Sequence, residues 1–158
     1  MEGSRGLGDV YKRQIEVHKT ASFEILKLYS ILKSGNKTRA IPQSYIPTNS
    51  FFDKIASFIR LNFFIPDSRI GWNYFAFKKA KKLIEDNNIN CVITSGPPHS
   101  SHLIGKKIYN KFKLKWIVDL RDPWAELFYL KNKFQFNFVK KLNLKFELDV
   151  LNLSLIHI

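Results

Sequence analysis

The stretch that decides the fold is Cys91–Leu120, which reads CVITSGPPHSSHLIGKKIYNKFKLKWIVDL. It begins with the short apolar run Cys91–Thr94 and ends with a second one, Lys115–Leu120. Gly96 and two prolines break the first run, and His99–Phe112 then carries apolar residues at the spacing of one helix face. Short apolar runs of this kind are typical of parallel strands that are buried on both faces. The stretch therefore predicts a strand, a helix and a second, parallel strand.

Helical spacing is also found before this unit. Trp72–Asn87 is predicted to be a helix, because apolar residues share one face of it and lysines cover the other. The predicted buried face comprises Trp72, Phe75, Ala76, Ala80, Leu83 and Ile84. Phe51–Phe64 and Ser22–Lys33 have helix-like apolar patterns as well. Ile15–Lys19 alternates like a short strand, and Ser34–Ser50 reads as a loop.

After the unit, Trp124–Asn152 is apolar at helical spacing in its second half, at Phe138, Val139, Leu142, Phe146 and Val150. Helices that alternate with short apolar runs predict the α/β class, here a partial Rossmann-like open parallel sheet flanked by helices. Because crossover connections are right-handed, we expect helices on both faces of this sheet. Ligands of open α/β sheets bind beyond the carboxyl ends of the strands, so the loops that follow the two strands are the candidate site.

The two ends of the chain read differently from its middle. Asp9–Gln14 reads DVYKRQ and Leu153–Ile158 reads LSLIHI. The codons GAT GTG TAT AAG AGA CAG encode the first hexapeptide, and their reverse complement, CTG TCT CTT ATA CAC ATC, encodes the second. This nucleotide sequence resembles the transposon-end adapter of sequencing libraries. The upstream part of that adapter encodes Ser4–Gly8. We therefore interpret residues 1–14 and 153–158 as adapter-derived and exclude them from the fold prediction.

Composition narrows the function classes. The 158 residues carry a net charge of +13, and the two end segments hold only three basic and two acidic residues, so the basic character belongs to the middle. Cys91 is the sole cysteine, which excludes an intramolecular disulfide and a cysteine-based zinc site and suits a reducing compartment. No run reaches the roughly 18 apolar residues of a membrane span, and no secretory leader is recognisable. We expect a cytoplasmic location.

The loop after the first strand has the residue types of an anion site. Gly96 permits close backbone approach, and the amides of a helix start, with the hydroxyls of Ser100 and Ser101, can hold a phosphate or carboxylate. His99 can donate a hydrogen bond or act as a base. The alternative is that Ser95 or Ser100 is only a helix N-cap and that His99 packs against the next loop.

The loop after the second strand reads Arg121-Asp122-Pro123-Trp124. An arginine at the carboxyl edge of a sheet suits phosphate recognition. Asp122 could orient a sugar hydroxyl or a neighbouring side chain. The alternative is a local Arg–Asp pair in a turn that Pro123 stops, with Trp124 as a packing residue.

Both loops carry motifs that resemble one family. TSGPPHS at Thr94–Ser100, DLRDPW at Asp119–Trp124 and FIPDSRIGW at Phe64–Trp72 resemble the N-terminal domain of family-4 bacterial glycosyltransferases, which have the GT-B fold. Ile15–Ser34 resembles the strand and acceptor-side helix upstream of those motifs. The resemblance covers most of residues 15–152, which we interpret as a partial N-terminal, acceptor-side domain.

The resemblance implies a two-domain enzyme whose active site lies in the cleft between two Rossmann-like halves. The N-terminal half binds the acceptor, and the C-terminal half binds the nucleotide-sugar donor. Such enzymes are retaining, and generally need no metal at the nucleotide. The implied activity is transfer of a sugar from a nucleotide sugar to a glycan or lipid-linked acceptor in envelope polysaccharide synthesis, with no cofactor beyond the co-substrate.

The resemblance also implies which residues form the site. His99 and Asp122 are expected to be catalytic. The expected substrate contacts are Gly96, Ser100, Ser101, Arg121 and Trp124, and no metal ligand is expected. The family's first strand with its Gly-rich turn and its donor-binding half have no counterpart here, so we expect this chain alone to be inactive.

The basic charge suggests further partners. Lys78, Lys79, Lys81 and Lys82 are either a solvated helix face or a surface for anionic lipid headgroups, which would place the protein at the inner face of the plasma membrane. Net charge alone also suggests a nucleic-acid-binding domain, but no binding motif is recognisable, and we expect no nucleic-acid partner. The third alternative is a non-catalytic Rossmann-like binding module.

Overall fold

Two six-residue strands, β1 (Cys91–Gly96) and β2 (Lys115–Leu120), form the centre of the fold and pair in parallel along their full length. Ile156–His157 adds a two-residue strand, β3, parallel to β2, so the strand order is β1-β2-β3. Both six-residue strands lie where the sequence predicted them. β1 continues two residues beyond the predicted run, because Ser95 and Gly96 still pair with β2.

The structure is a computed structural model, and it describes residues 16–23, 51–125, 133–154 and 156–157. The described helices are α1 (Phe51–Phe63), α2 (Asn73–Asp86), α3 (Ser100–Phe112) and α4 (Asn137–Leu153), with a 3-10 turn at Ile70–Trp72. None of these helices is long and apolar enough to cross a bilayer. The prediction of a mixed α/β fold with a parallel sheet flanked by helices is confirmed at this coarse level.

α3 and α4 lie against one face of the sheet. α3 contacts β1, β2, α2 and α4, and α4 contacts β2. Since β1, β2 and β3 follow one another in a single direction, right-handed crossovers place α3 and α4 on the same side. On the other side Ile93 is 66% exposed. The expectation of a fully buried β1 is therefore wrong, and the expectation that the helices alternate between the two faces is wrong for α3 and α4.

The core surrounds α3 as two clusters. One contains Trp116, Val118, Trp124 and Val150, and the other contains Ala76, Ile104 and Ile108. The buried face of α2 follows the predicted spacing with one exchange. Phe75, predicted to be buried, is exposed, whereas Phe77 packs against the second cluster.

Gly105 lets α3 approach the sheet closely. A Cβ atom there would lie 2.4 Å from Nε1 and 2.5 Å from Cε2 of Trp116, whose indole is almost fully buried. The indole cannot move freely, because its Nε1 donates a hydrogen bond of 2.9 Å to Thr94 Oγ1. A side chain at this position would thus force α3 away from β2.

Gly105→Ala is expected to lower the free energy of unfolding by about 1–3 kcal/mol, because overpacking exceeds the gain of about 1 kcal/mol in helix propensity. Urea denaturation followed by circular dichroism measures the change. Asn110→Ala, at an exposed position of the same helix, is the matched control and should shift stability by less than about 0.5 kcal/mol. A Gly105→Ala variant as stable as the control would show that α3 does not pack on Trp116 as described.

The described N-terminal segment has no regular structure. Residues 16–23 form neither helix nor strand, so the strand predicted over Ile15–Lys19 is wrong for residues 16–19. The segment lies on the 3-10 turn, where Trp72 Nε1 donates to Thr20 Oγ1 at 2.7 Å. Most of the helix predicted over Ser22–Lys33, and the whole loop predicted over Ser34–Ser50, lie outside the described residues.

β3 falls within Leu153–Ile158, which we interpret as adapter-derived. Its pairing with β2 uses backbone groups, which every sequence supplies except at proline. The pairing therefore neither supports nor opposes that interpretation, which stays a prediction.

Candidate functional site

The two loops with the motifs adjoin at the carboxyl edge of the sheet, as predicted. The register pairs Gly96 with Leu120 at the ends of β1 and β2. One residue further on, the Arg121 amide donates to the Gly96 carbonyl oxygen at 3.2 Å. Both loops therefore leave the sheet side by side, on the side where ligands of parallel sheets bind.

The Arg121 side chain joins the two loops. Its Nε donates to Gly96 O at 3.3 Å, and its Nη2 donates to Pro97 O at 3.2 Å. These bonds use two of the five N–H groups of a guanidinium, and the residue is exposed. Arg121 can therefore hold the first loop and contact an anion with the same planar group.

The start of α3 is capped from elsewhere in the chain. The Ser100 amide donates to Asp67 Oδ2 at 2.7 Å, and Ser100 Oγ donates to Asp67 Oδ1 at 3.0 Å. Asp67 thus supplies both the capping acceptor and the negative charge that a helix N-terminus favours. The alternative in which Ser95 or Ser100 is the N-cap is wrong, because His99 occupies the N-cap position and the capping acceptor comes from Asp67, outside the helix.

This arrangement bears on the predicted anion site. Ser100 is fully buried, and the next two amides, those of Ser101 and His102, donate to the carbonyls of Pro98 and His99. Ser101 Oγ donates to Ser95 O at 2.8 Å. A phosphate at this helix start would have to displace internal acceptors. The assignment of Ser100 and Ser101 to substrate binding stays a prediction. The Arg121 side chain is more accessible to an anion than the start of this helix.

His99 is buried and lies flat against Trp124. The two ring centroids are 5.0 Å apart at an interplanar angle of 10°, so the alternative in which His99 packs against the second loop is confirmed. Burial lowers the pKa of His99, against the opposing influence of the Asp67, Glu147 and Asp122 carboxylates. The imidazole is therefore neutral at neutral pH, which is the form that can accept a proton.

A second histidine, not singled out from the sequence, lies beneath the site. His102 is fully buried, and its Nδ1 is 2.9 Å from Thr94 Oγ1, which also accepts the Trp116 indole N–H. Its Nε2 has no hydrogen-bond partner. Burial, followed by the neighbouring His99, lowers the pKa of His102 to about 4, and Asp119 opposes this shift. His102 is a neutral core residue at physiological pH.

Gly96 leaves room for this ring. A Cβ atom at Gly96 would lie 2.4 Å from His102 Nε2. Gly96 is thus required for packing. Its contact with substrate stays a prediction.

Trp124 belongs to the core. Its side chain packs with Val118 and Val150, and its Nε1 donates to Asn143 Oδ1 at 3.2 Å. The Trp124 amide donates to Glu147 Oε1 at 3.3 Å. The alternative in which Trp124 is a packing residue is confirmed, and any effect on a ligand would act through the His99 ring that it holds.

The remaining polar groups of the edge are more accessible. Asp122 is exposed in the second loop, and exposed Ser95 donates from Oγ to Asp119 Oδ2 at 2.6 Å. Arg121, Asp122 and Ser95 therefore form the open part of the candidate site, with His99 below them. Among the described residues, no group of three or more His, Cys, Asp or Glu could hold a metal ion.

The lysines predicted to face a membrane lie on α2. Lys78 and Lys82 are exposed, whereas Lys79 and Lys81 are half-buried. Lys81 Nζ lies 3.7 Å from Glu85 Oε1 in an i,i+4 ion pair. Their contact with lipid headgroups stays a prediction.

Comparisons with protein-family models, with curated proteins and with solved structures found no match for this chain. The motifs of the two loops and the geometry of their residues are the features that point to a function.

Proposed function

We propose that the chain is the acceptor-side part of a retaining glycosyltransferase, in which it helps to move a sugar from a nucleotide sugar to a glycan or lipid-linked acceptor of envelope polysaccharide synthesis. The observation that carries the proposal is the meeting of the two motif-bearing loops at the carboxyl edge of a parallel sheet, joined by the Arg121 side chain. Such an edge is where open α/β folds bind their ligands.

The residue types at this edge suit sugar and phosphate chemistry. Arg121 presents a planar cation that can bind two phosphate oxygens at once. Asp122 is an exposed carboxylate that can accept a hydrogen bond from a sugar hydroxyl. The neutral His99 imidazole can accept a proton, and its stacking on Trp124 fixes the ring plane. These roles support glycosyl transfer at this edge but do not identify the sugar that is transferred.

A non-catalytic binding module would use the same edge and is the main rival. A glycosyltransferase and a binding module differ in turnover, because only the enzyme releases nucleotide and forms a new glycosidic bond. A nucleic-acid-binding domain is less favoured, because two of the three tryptophans, Trp116 and Trp124, are buried in the core and cannot stack on bases.

The test uses the complete gene product that contains this sequence. It is incubated with a panel of nucleotide sugars and glycan or lipid-linked acceptors, and nucleotide release and the anomeric configuration of the product are measured. We expect acceptor-dependent release with retained configuration. Binding of acceptor without nucleotide release from any donor would favour the binding module, and an inverted product would contradict the proposed class.

A further inference from the structure

α1 exposes an apolar stripe and buries polar residues. Ile55, Ile59 and Phe63 recur at every fourth position, and all three are exposed, Phe63 by 67%. Within residues 54–63 of α1, the buried side chains are those of Ser57 and Asn62, the latter 2% exposed. Helices of globular proteins normally turn the apolar stripe inward. The orientation of α1 is therefore that of a helix whose apolar face meets a partner.

The stripe is continued by aromatic rings of a distant segment. Phe134 lies 5.9 Å from Phe58 by ring centroids, and Phe136 lies 5.6 Å from the same ring. Phe138 stacks on Phe136 at 5.5 Å. Phe134 and Phe138 are 66% and 62% exposed. We call the rings of Phe58, Phe63, Phe134, Phe136 and Phe138 the phenylalanine cluster.

A buried amide holds this cluster in place. Asn62 Nδ2 donates to the carbonyl oxygens of Phe58 and Phe134, at 2.9 and 3.2 Å. Asn62 Oδ1 accepts the Phe136 amide at 2.8 Å. The bonds of Asn62 to Phe134 and Phe136 link α1 to a segment 72 or more residues away, so the exposed rings are held in a defined arrangement.

Basic residues adjoin the phenylalanine cluster in the sequence. Lys54 directly precedes Ile55 of the stripe and is exposed, and Lys140 and Lys141 are exposed at the start of α4. Lys133 directly precedes Phe134, and no acidic residue occurs between positions 133 and 142. A second copy of this chain, with its net charge of +13, would set these lysines against like charges. An anionic partner with an apolar interior complements both features.

We propose that the phenylalanine cluster inserts into the interfacial region of an anionic lipid bilayer, with Lys54, Lys133, Lys140 and Lys141 on the headgroups. Exposed aromatic rings rimmed by lysines are the side-chain set of interfacial binding. This surface is separate from the lysines of α2, and the inference does not depend on the proposed glycosyl transfer.

Flotation of the protein with vesicles and its insertion into lipid monolayers test the proposal. Vesicles of phosphatidylglycerol mixed with phosphatidylcholine are compared with phosphatidylcholine alone. We expect binding to the anionic vesicles and a rise in monolayer surface pressure. The combined Phe63→Ser, Phe134→Ser and Phe138→Ser substitutions should abolish the pressure rise and weaken binding by about tenfold or more.

Control variants distinguish insertion of the phenylalanine rings from attraction by charge and from loss of the fold. Ile93→Thr, at an exposed apolar position of the sheet, is the matched control and should bind like the wild type. Lys78→Gln with Lys82→Gln should leave the pressure rise intact. If the triple variant fails to fold by circular dichroism, Phe138→Ser alone is used, because the ring is mostly exposed.

Three results would overturn the proposal: anionic-vesicle binding that survives the phenylalanine substitutions, no binding by the wild type, and self-association that those substitutions abolish. Tight binding of single-stranded nucleic acid that displaces the vesicles would likewise assign the surface to another partner.

Discussion

Trp124→Ala is expected to lower the free energy of unfolding by about 3–5 kcal/mol, the range for removing a buried aromatic side chain. The indole packs with Val118 and Val150, donates to Asn143 Oδ1, and covers the His99 ring. Its removal would leave a cavity next to the candidate site and admit water to His99. Because burial is the main cause of the low pKa of His99, that pKa should rise toward its ordinary value.

Urea denaturation measures the stability change, and NMR titration of the imidazole measures the pKa. Tyr74→Ala is the matched aromatic control, since Tyr74 is exposed on α2 and should change stability by less than about 0.5 kcal/mol. Equal losses in the two variants, or an unmoved His99 pKa in Trp124→Ala, would contradict the packing described.

Acidification is the second large effect that we expect, and His102 is its main source. Burial lowers its pKa in the folded chain to about 4, whereas the unfolded chain protonates at about 6.5. Between these values the unfolded state binds more protons, so stability falls as the pH is lowered. From about pH 7 to about pH 5 the loss from this residue is about 2 kcal/mol.

His102→Asn isolates this contribution, because the amide can still bond Thr94 but does not titrate. Urea midpoints at several pH values are compared for the two proteins. The variant should be less stable at neutral pH, with a shallower decline toward pH 5. The decline that remains would include the contribution of His99, whose pKa burial also lowers. Parallel declines would show that His102 is not buried in its neutral form.

The sequence predicted the local structure well. The spacing of apolar residues predicted α2, α3 and both long strands, because that spacing depends on which side of an element faces the core. The adjacency of the Gly96 and Arg121 loops also followed, since carboxyl ends of paired parallel strands share one edge.

Tertiary contacts could not be read from spacing. Asp67 caps α3 from 33 residues away, and neither residue type nor periodicity pairs it with Ser100. Asp67 lies in the motif Phe64–Trp72, which resembles the family. That motif was the only feature of the sequence that singled the residue out, and it implied no role for it. His102 follows His99 by three positions, which in a helix puts both on one side, yet its burial depends on Gly96 and Trp116.

The coverage of the sheet was mispredicted for a related reason. A strand with apolar residues at successive positions looks buried on both faces, and Ile93 shows that the sequence pattern does not reveal which elements cover the second face. Phe138 was predicted to lie on the apolar side of a helix, but it belongs to the exposed phenylalanine cluster.

The central proposal is that the two loops form one sugar-transfer site, and steady-state kinetics of the complete gene product that contains this sequence test it most directly. His99→Gln and Arg121→Ala are compared with the wild type and with Asn110→Ala, an exposed control, after circular dichroism shows that all are folded. We predict that kcat/KM falls by about a hundredfold or more in both site variants and is unchanged in the control. Unchanged turnover in both site variants would contradict the assignment of this edge as the site.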